Sequence, residues 1–318
     1  MSFSNDVRNE LARIIPDKTC CQKAELSALL TLRADIIQRE DGERYLVTLS
    51  ENATPARKIY KLLKESYGLS SAVRIQERKR FKRKRVYVVE THMPKNDPFL
   101  NELGISSNGQ KINQQVNWSL LTKNCCKKAY LRGVFISRGF INRPEGNYHL
   151  EIVMNDSRMA RDLQKVLLKM GLEARVSERK NNLMVYVKDS EKIVDFLRII
   201  EASKALMDFE NVRILKSMRN QVNRQVNCET ANLAKTVDAS VRQVEMIERL
   251  IDQVGLNGLP IILRDLAILR IDYPDNTLKE LGMMLDPPLT KSGVAYRMNK
   301  LENYAEKILD DYKSEGQE

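Results

Sequence analysis

One pattern occurs twice in this sequence, and the repeat limits the possible folds. Residues 20–34 read CCQKAELSALLTLRA and residues 125–139 read CCKKAYLRGVFISRG, so both copies follow Cys-Cys-x-Lys-Ala-x-Leu and end on arginine plus a small residue. Slightly smaller offsets relate later positions: Leu46 to Leu150, residues 56–57 to 160–161, and residues 86–88 to 185–187. Because the motif and the segments that follow it recur at nearly the same spacing, they indicate one structural unit used twice.

Each copy predicts the same order: helix, strand, strand, helix, strand, strand. After the first motif helix, Asp41-Gly42 is typical of a hairpin turn, and Gly68 is typical of a helix end. Ser4 or Asn5 is predicted to cap an N-terminal helix that Pro16 stops. Short helices are also expected near residues 99–103 and 118–121. The later helices are predicted at residues 55–66, 158–170 and 191–200, and the strands at 36–37, 45–49, 72–76, 86–90, 140–141, 148–154, 174–177 and 183–187.

From Asn227 onward the pattern is purely helical. Thr277 can cap one helix, a proline-containing turn follows, and residues 291–304 form a second helix, which is helix-turn-helix spacing. On a helical wheel, Ser292, Tyr296 and Asn299 project opposite the apolar stripe of Val294, Met298 and Leu301. We therefore expect the first three side chains to face a major groove. The alternative is that Tyr296 packs on a neighbouring domain.

The predicted fold class is α+β: a double unit with pseudo-two-fold symmetry, followed by an all-α helix-turn-helix domain. The predicted domains are an N-terminal helix and lead-in (1–20), repeat 1 (21–91), a linker (92–123), repeat 2 (124–204), a basic helical bridge (205–227), and a helical domain (228–318) with its helix-turn-helix at about 277–305.

Charge is distributed unevenly along the chain. The formal net charge is +11, but residues 1–225 hold 42 basic and 26 acidic residues, whereas residues 226–318 hold 11 and 16. The basic surface therefore belongs to the repeated part. This favours nucleic acid as the partner class, ahead of an anionic membrane surface.

A dense basic run lies between two predicted strands. Eight neighbouring residues with seven charges of one sign repel each other, which favours a phosphate partner over an ordinary solvated hairpin tip. The candidate DNA-backbone residues of this run are Arg78, Lys79, Arg80, Lys82, Arg83, Lys84 and Arg85.

The cysteines and histidines predict no metal site and no cofactor. Five cysteines, in two adjacent pairs plus Cys228, match neither a disulfide framework nor Cys-x-x-Cys zinc spacing, and adjacent cysteines are poor joint ligands on a helix. His92 and His149 are too isolated for acid-base chemistry. No apolar signal segment or bilayer-spanning stretch is present. We expect a cytoplasmic, nucleoid-associated protein without a small-molecule substrate.

The motif of residues 131–139, followed by hairpin, helix and hairpin, resembles the LAGLIDADG homing-endonuclease fold, and the double copy resembles its single-chain form. The resemblance implies two motif helices packed through small residues such as Gly133 and Ala28, and two sheets forming a saddle over DNA. It also implies acidic metal ligands at the eighth motif position, where this chain has Arg33 and Arg138. A guanidinium is permanently cationic and cannot bind magnesium. Asp35 does not replace the ligand, because two residues along a helix turn it away by about 200°.

A degenerate double LAGLIDADG unit with a terminal Lys291-Ser292-Gly293-Val294 helix resembles the WhiA family. The resemblance implies a sequence-specific DNA-binding transcription regulator linked to cell division, chromosome segregation or sporulation in Gram-positive bacteria, not an enzyme. Two alternatives stay open. One is an interaction protein whose acidic terminal domain contacts division proteins or the transcription machinery, such as an RNA polymerase sigma factor or another transcription regulator. The other is a site-specific endonuclease, which the two arginines oppose.

The predicted helix-turn-helix contains specific candidate DNA-binding residues. Lys291, Arg297 and Lys300 flank the exposed face at phosphate height. Arg33 and Arg138 have two candidate roles, capping or salt-bridging at the floor of the saddle, and contacting phosphate. The DNA-binding candidates of the helix-turn-helix are Thr277, Thr290, Lys291, Ser292, Tyr296, Arg297, Asn299 and Lys300.

Overall fold

The structure, a computed structural model, describes residues 2–78, 84–94, 98–106, 112, 113, 115–179 and 182–315. The chain divides into two compact units, Met1–Ser217 and Met218–Glu318. The first unit holds both copies of the motif, and the second holds the predicted helix-turn-helix. Each unit has its own hydrophobic core.

The first copy has the predicted order of elements. A short helix, α1, precedes it, and a four-stranded antiparallel sheet with strand order β1-β2-β4-β3 forms behind its two helices. The elements are α1 (Phe3–Leu11), α2 (Thr19–Arg33), β1 (Ala34–Gln38), β2 (Arg44–Ser50), α3 (Ala53–Tyr67), β3 (Ser71–Arg78) and β4 (Lys84–Met93).

The second copy repeats this topology with strand order β5-β6-β8-β7. Between the copies lie α4 (Phe99–Glu102) and a 3-10 turn (Trp118–Leu121), as the sequence predicted. Phe99, Leu103 and Leu121 are buried, so this connection contributes to the core. The second copy consists of α5 (Asn124–Arg138), β5 (Gly139–Ile141), β6 (Leu150–Met154), α6 (Ser157–Leu168), β7 (Arg175–Arg179), β8 (Asn182–Val187) and α7 (Ser190–Ile199).

Strand register corrects one predicted correspondence between the copies. Leu46 pairs with Thr91, and its equivalent Leu150 pairs with Val187. Thr91, and not Val88, is therefore the counterpart of Val187, so the predicted match was wrong by three positions. An odd shift matters because it moves every side chain to the other face of the sheet.

The N-terminal helix is held by a contact that the sequence did not predict. Ser4 lies inside α1 rather than at its cap. Its hydroxyl donates to the carbonyl of Ile141 at 2.7 Å and accepts from the amide of Ile141 at 2.9 Å. Because both bonds are made to β5, the serine ties the start of the chain to the second copy.

The predicted bridge is part of one long helix. Helix α8 (Ser203–Val254) runs without a break through the predicted boundary at 227/228, and the division between the units falls after Ser217. The elements that follow are a 3-10 turn (Leu256–Gly258), α9 (Ile261–Asp272), α10 (Leu278–Met284) and α11 (Lys291–Glu315).

Candidate nucleic-acid interface

The two motif helices, α2 and α5, pack against each other at very short range. A Cβ added at Gly133 would lie 2.6 Å from the carbonyl oxygen of Glu25 and 3.0 Å from the Cβ of Ala28. Only glycine fits at the first of these distances, because real Cβ atoms do not approach a backbone oxygen so closely. The expectation that Gly133 and Ala28 allow close packing is confirmed.

Each motif helix ends on an arginine, Arg33 on α2 and Arg138 on α5. Each arginine binds the backbone of the residue that precedes the other arginine. Arg33 Nε donates to the carbonyl oxygen of Ser137 at 2.7 Å, and its Nη2 donates to the same oxygen. Arg138 Nε donates to the carbonyl oxygen of Leu32 at 3.3 Å. Each arginine therefore satisfies an unpaired carbonyl at the C-terminus of the opposite helix, where a cation is also favoured by the helix dipole.

The eighth position of both motifs is thus cationic. Burial, followed by the nearby guanidiniums of Arg138 and Arg8, lowers the pKa of Arg33. Asp35 is exposed, and it lies in strand β1 opposite Val47 rather than on a helical extension. The helical-wheel reason for dismissing Asp35 was therefore wrong, since the helix ends at Arg33.

A buried ion network crosses the same helix pair, and the sequence did not reveal it. Glu25, which is fully buried, accepts from Lys58 and from Arg132 Nε, the latter at 3.1 Å. Arg132 also binds Glu201. Burial raises the pKa of Glu25, and burial lowers the pKa of Lys58 to about 8 although Glu25 opposes that shift. Charged side chains at such depth need these partners.

The two cysteine pairs also meet, against expectation. The four Sγ atoms of the cysteine cluster (Cys20, Cys21, Cys125 and Cys126) lie within 4.8 Å of one another. Burial raises the pKa of the Cys21 thiol, and it raises that of Cys126 to about 11, whereas a hydrogen bond from Cys21 lowers that of Cys125. Adjacent cysteines on one helix are poor joint ligands, but here each pair lies next to the pair on the second helix.

The basic run lies at the connection between β3 and β4, as predicted. Arg78 ends β3 and pairs in register with Lys84 at the start of β4, and Arg85 is exposed. Lys79, Arg80, Lys82 and Arg83 lie outside the described residues. On the same sheet, Glu90 binds Arg39 and lies 3.7 Å from Arg74.

In the second unit, α10 and α11 form the predicted pair of helices. The hydroxyl of Thr277 accepts from the amide of Glu280, whose carboxylate accepts from the amide of Thr277, so a capping box starts α10. The turn then approaches α10 closely: the amide of Leu289 donates to the carbonyl of Gly282 at 2.8 Å, and a Cβ at Gly282 would lie 2.4 Å from the carbonyl oxygen of Leu289.

Helix α11 has one buried and one exposed face, in the predicted positions. Val294, Met298 and Leu301 are buried in the core of the unit. Tyr296 is 61% exposed, and Lys300 Nζ lies 4.8 Å from its ring centroid. The predicted DNA-facing side chains on this helix that are exposed are Lys291, Ser292, Tyr296, Asn299 and Lys300, and Arg297 is half-buried.

The side chain of Thr290 caps the N-terminus of α11. Its Oγ1 accepts from the amide of Gly293 at 3.3 Å and lies 3.0 Å from the hydroxyl of Ser292. The start of the exposed face is therefore held by the threonine. In helix-turn-helix proteins, the N-terminal residues of the recognition helix are the ones that usually contact base edges.

Two copies of a LAGLIDADG-like half on one chain, with arginine at both eighth motif positions and a helix-turn-helix after them, define a class of degenerate LAGLIDADG proteins with a DNA-binding domain. Family models match in the same order: the WhiA N-terminal LAGLIDADG-like domain at residues 19–106, the WhiA LAGLIDADG-like domain at 127–219, and the WhiA C-terminal HTH domain at 222–305. The chain belongs to the WhiA family.

Similar proteins agree with this assignment over nearly the whole chain. The "Probable cell division protein WhiA" of Syntrophomonas wolfei is 59% identical over 98% of this chain and all of its own length. The protein of the same name from Heliobacterium modesticaldum is 48% identical over 96% of both chains. The crystal structure of full-length DUF199/WhiA from Thermatoga maritima has the same fold, with a TM-score of 0.60 at 23% identity, over 96% of this chain and 99% of its own.

Among the helices of the described residues, none combines the length and the apolar character that crossing a bilayer requires.

Proposed function

We propose that this chain is a sequence-specific regulator that binds double-stranded DNA, with the terminal helix pair reading bases and the basic first unit adding affinity for phosphates. The names of its relatives support a role in cell division. A regulator of this kind would act in the cytoplasm, on the nucleoid. The nuclease chemistry of active LAGLIDADG enzymes has been lost.

The observation that carries this proposal is the exposed face of α11. Ser292, Tyr296 and Asn299 are exposed on the face opposite the buried stripe, and the helix start is capped. The serine can donate to a base edge or a phosphate, and an asparagine can make a bidentate contact with adenine. Lys291 and Lys300 lie beside this face, so they can hold the backbone.

The distribution of charge supports different roles for the two units in DNA binding. Residues 226–318 are acidic overall, so base reading there depends on a locally favourable helix rather than on net charge. Residues 1–225, with 42 basic residues, supply the sequence-independent attraction.

The loss of cleavage is supported by the ends of the motif helices. Two guanidiniums lie where the active family has two acidic ligands, and both are engaged by backbone carbonyls. This engagement favours the capping role for Arg33 and Arg138 over a phosphate contact. Divalent metal would meet positive charge at this position.

A second role, contact with a protein partner, is supported by the acidic surplus of residues 226–318. An RNA polymerase sigma factor or another transcription regulator is the proposed partner class. Such a contact is compatible with DNA binding by α11.

The experiment is a measurement of specificity. A cognate duplex is first selected from random DNA with the full chain, and affinities for the cognate and a scrambled duplex are then compared at fixed salt. Asn299→Ala should lose about 1–3 kcal/mol on the cognate duplex and little on the scrambled one, because a good bidentate base contact contributes about that much. Arg297→Ala should weaken both together.

Asn303→Ala is the matched control, because Asn303 is also exposed on α11 but lies one turn farther from the helix start. It should keep the ratio of the two affinities. If Asn299→Ala and Tyr296→Ala keep that ratio while a change in the first unit abolishes it, the base-reading role belongs to the first unit and the proposal is overturned.

A further inference from the structure

The cysteine cluster lies at the starts of the two motif helices. Cys20 and Cys21 belong to the first turn of α2, and Cys125 and Cys126 to the first turn of α5. All four are free thiols, and their Sγ atoms lie within 4.8 Å of one another. Helix pairing therefore joins two distant dipeptides into one compact set of sulfur donors.

Positive potential at the two helix starts partly offsets the burial that raises the pKa of the Cys21 and Cys126 thiols. The residues that precede the two helices are Lys18 and Lys123, and neither caps its helix through its side chain. Neither first turn carries an acidic residue. Helix N-termini attract anions through their unpaired amides and their dipole, so two such ends side by side suit a group of thiolates.

Burial shields part of the cluster from solvent. Cys21 and Cys126 are buried, whereas Cys20 and Cys125 are half-buried. One sulfur pair is therefore buried, and the other lies nearer the surface. The fifth cysteine, Cys228, is exposed on α8 and does not belong to the cluster.

We propose that the cysteine cluster binds one zinc ion through four thiolates. Four sulfur donors in tetrahedral array select zinc over the oxygen-preferring magnesium and calcium. Zinc–sulfur bonds of about 2.3 Å place tetrahedral sulfurs about 3.8 Å apart, so the thiols need to draw together by roughly 1 Å, which side-chain rotation can supply.

Zinc binding releases protons and changes the charge of the site. Each of the four thiols gives its proton to solvent, four zinc–sulfur bonds form, and the site gains a net charge of −2 that the two helix N-termini and the preceding lysines offset. With four protein ligands the ion keeps no open position, so the site is structural. It fastens α2 to α5 at the ends opposite Arg33 and Arg138.

The test uses the full chain, stripped of metal by a chelator in the presence of a thiol reductant. Zinc is then titrated against a competing indicator, and cobalt is added separately to record the visible bands of a tetrahedral cobalt thiolate. Wild type and Cys228→Ser, the matched control, should each bind one ion. Cys21→Ser/Cys126→Ser and Cys20→Ala/Cys125→Ala should bind zinc more weakly by at least about 100-fold, since half the ligands are missing.

Thermal unfolding separates a failure to bind from a failure to fold. Zinc should raise the Tm of wild type and Cys228→Ser but not that of the two cluster variants, because only a ligand of the folded state stabilises it. If the variant at the buried positions fails to fold, the variant at the half-buried positions decides. The proposal is overturned if wild type binds no zinc, or if a folded cluster variant binds it as tightly as wild type.

Discussion

Arg33 donates its Nε hydrogen to the carbonyl oxygen of Ser137 at 2.7 Å, across the interface of the two motif helices. Arg138 makes the corresponding contact with Leu32. An acidic side chain at either position would repel the carbonyl that the arginine now binds. The arginines therefore form a reciprocal contact between the two copies.

The first prediction concerns cleavage. Supercoiled plasmid that carries the selected binding site should stay intact with the full chain and either magnesium or manganese, because Arg33 and Arg138 repel these ions. Gel electrophoresis measures the outcome, and plasmid without the site is the control. Metal-dependent cutting at the site, abolished by a change in either motif, would show that a nuclease centre has survived.

The second prediction concerns salt. Replacing Arg83, Lys84 and Arg85 by glutamine should flatten the dependence of log affinity on log salt by about 0.9 for each phosphate that the variant no longer neutralises. Affinity for DNA is measured over a series of salt concentrations.

The matched control for this salt series changes Arg57, Lys61 and Lys64 to glutamine. These three exposed residues lie on α3, the helix that packs behind the same sheet, so the reduction in net charge is equal. The control should leave the slope near that of wild type. Equal slopes for both variants would mean that total charge, and not the position of the basic run, sets the attraction.

The third prediction concerns the buried pair of Glu25 and Lys58. Lys58→Met should lower the free energy of unfolding by about 3–5 kcal/mol, because Glu25 is then left without one of its two buried partners. Adding Glu25→Gln to this variant should recover part of that stability. Denaturant unfolding of both single variants and the double variant gives the coupling energy, and a value near zero would show that the two side chains do not stabilise each other.

The fourth prediction concerns the closest approach between α2 and α5. Gly133→Ala should destabilise the chain by about 1–3 kcal/mol, because its Cβ would meet the carbonyl oxygen of Glu25 at 2.6 Å. Gly146→Ala is the control, since its Cβ would lie an ordinary 3.6 Å from the carbonyl of Arg143. Thermal unfolding of the two variants should differ clearly; equal Tm values would mean that the helices can separate at no cost.

Local patterns in the sequence were sufficient to predict much of the fold. The order of helices and strands in both copies follows from hydrophobic periodicity and from glycines such as Gly68, which adopts the left-handed conformation that ends α3. The exposed and buried faces of α11 follow from helical spacing alone. These features depend on residues only a few positions apart, so a single sequence determines them.

Register and long-range contacts were decided by the tertiary structure. The pairing of Thr91 with Leu46 depends on how two strands slide past each other, which the match of residues 86–88 to 185–187 could not fix. Ser4 looked like a helix cap because capping is local, yet its hydroxyl binds Ile141 in the second copy. Helix α8 also continues without a break through residues 227 and 228, where the change in composition predicted a domain boundary.

The amino-acid sequence alone establishes that the chain is a duplicated unit with arginines at the eighth motif positions, followed by a helix pair. The contacts of those residues depend on tertiary packing: the reciprocal arginine bonds, the buried Glu25 network and the cysteine cluster all join the two motif helices. Residues about 105 positions apart become neighbours there. Their distances are set by the close crossing at Gly133, because backbone approach, and not residue type, brings the side chains within bonding range.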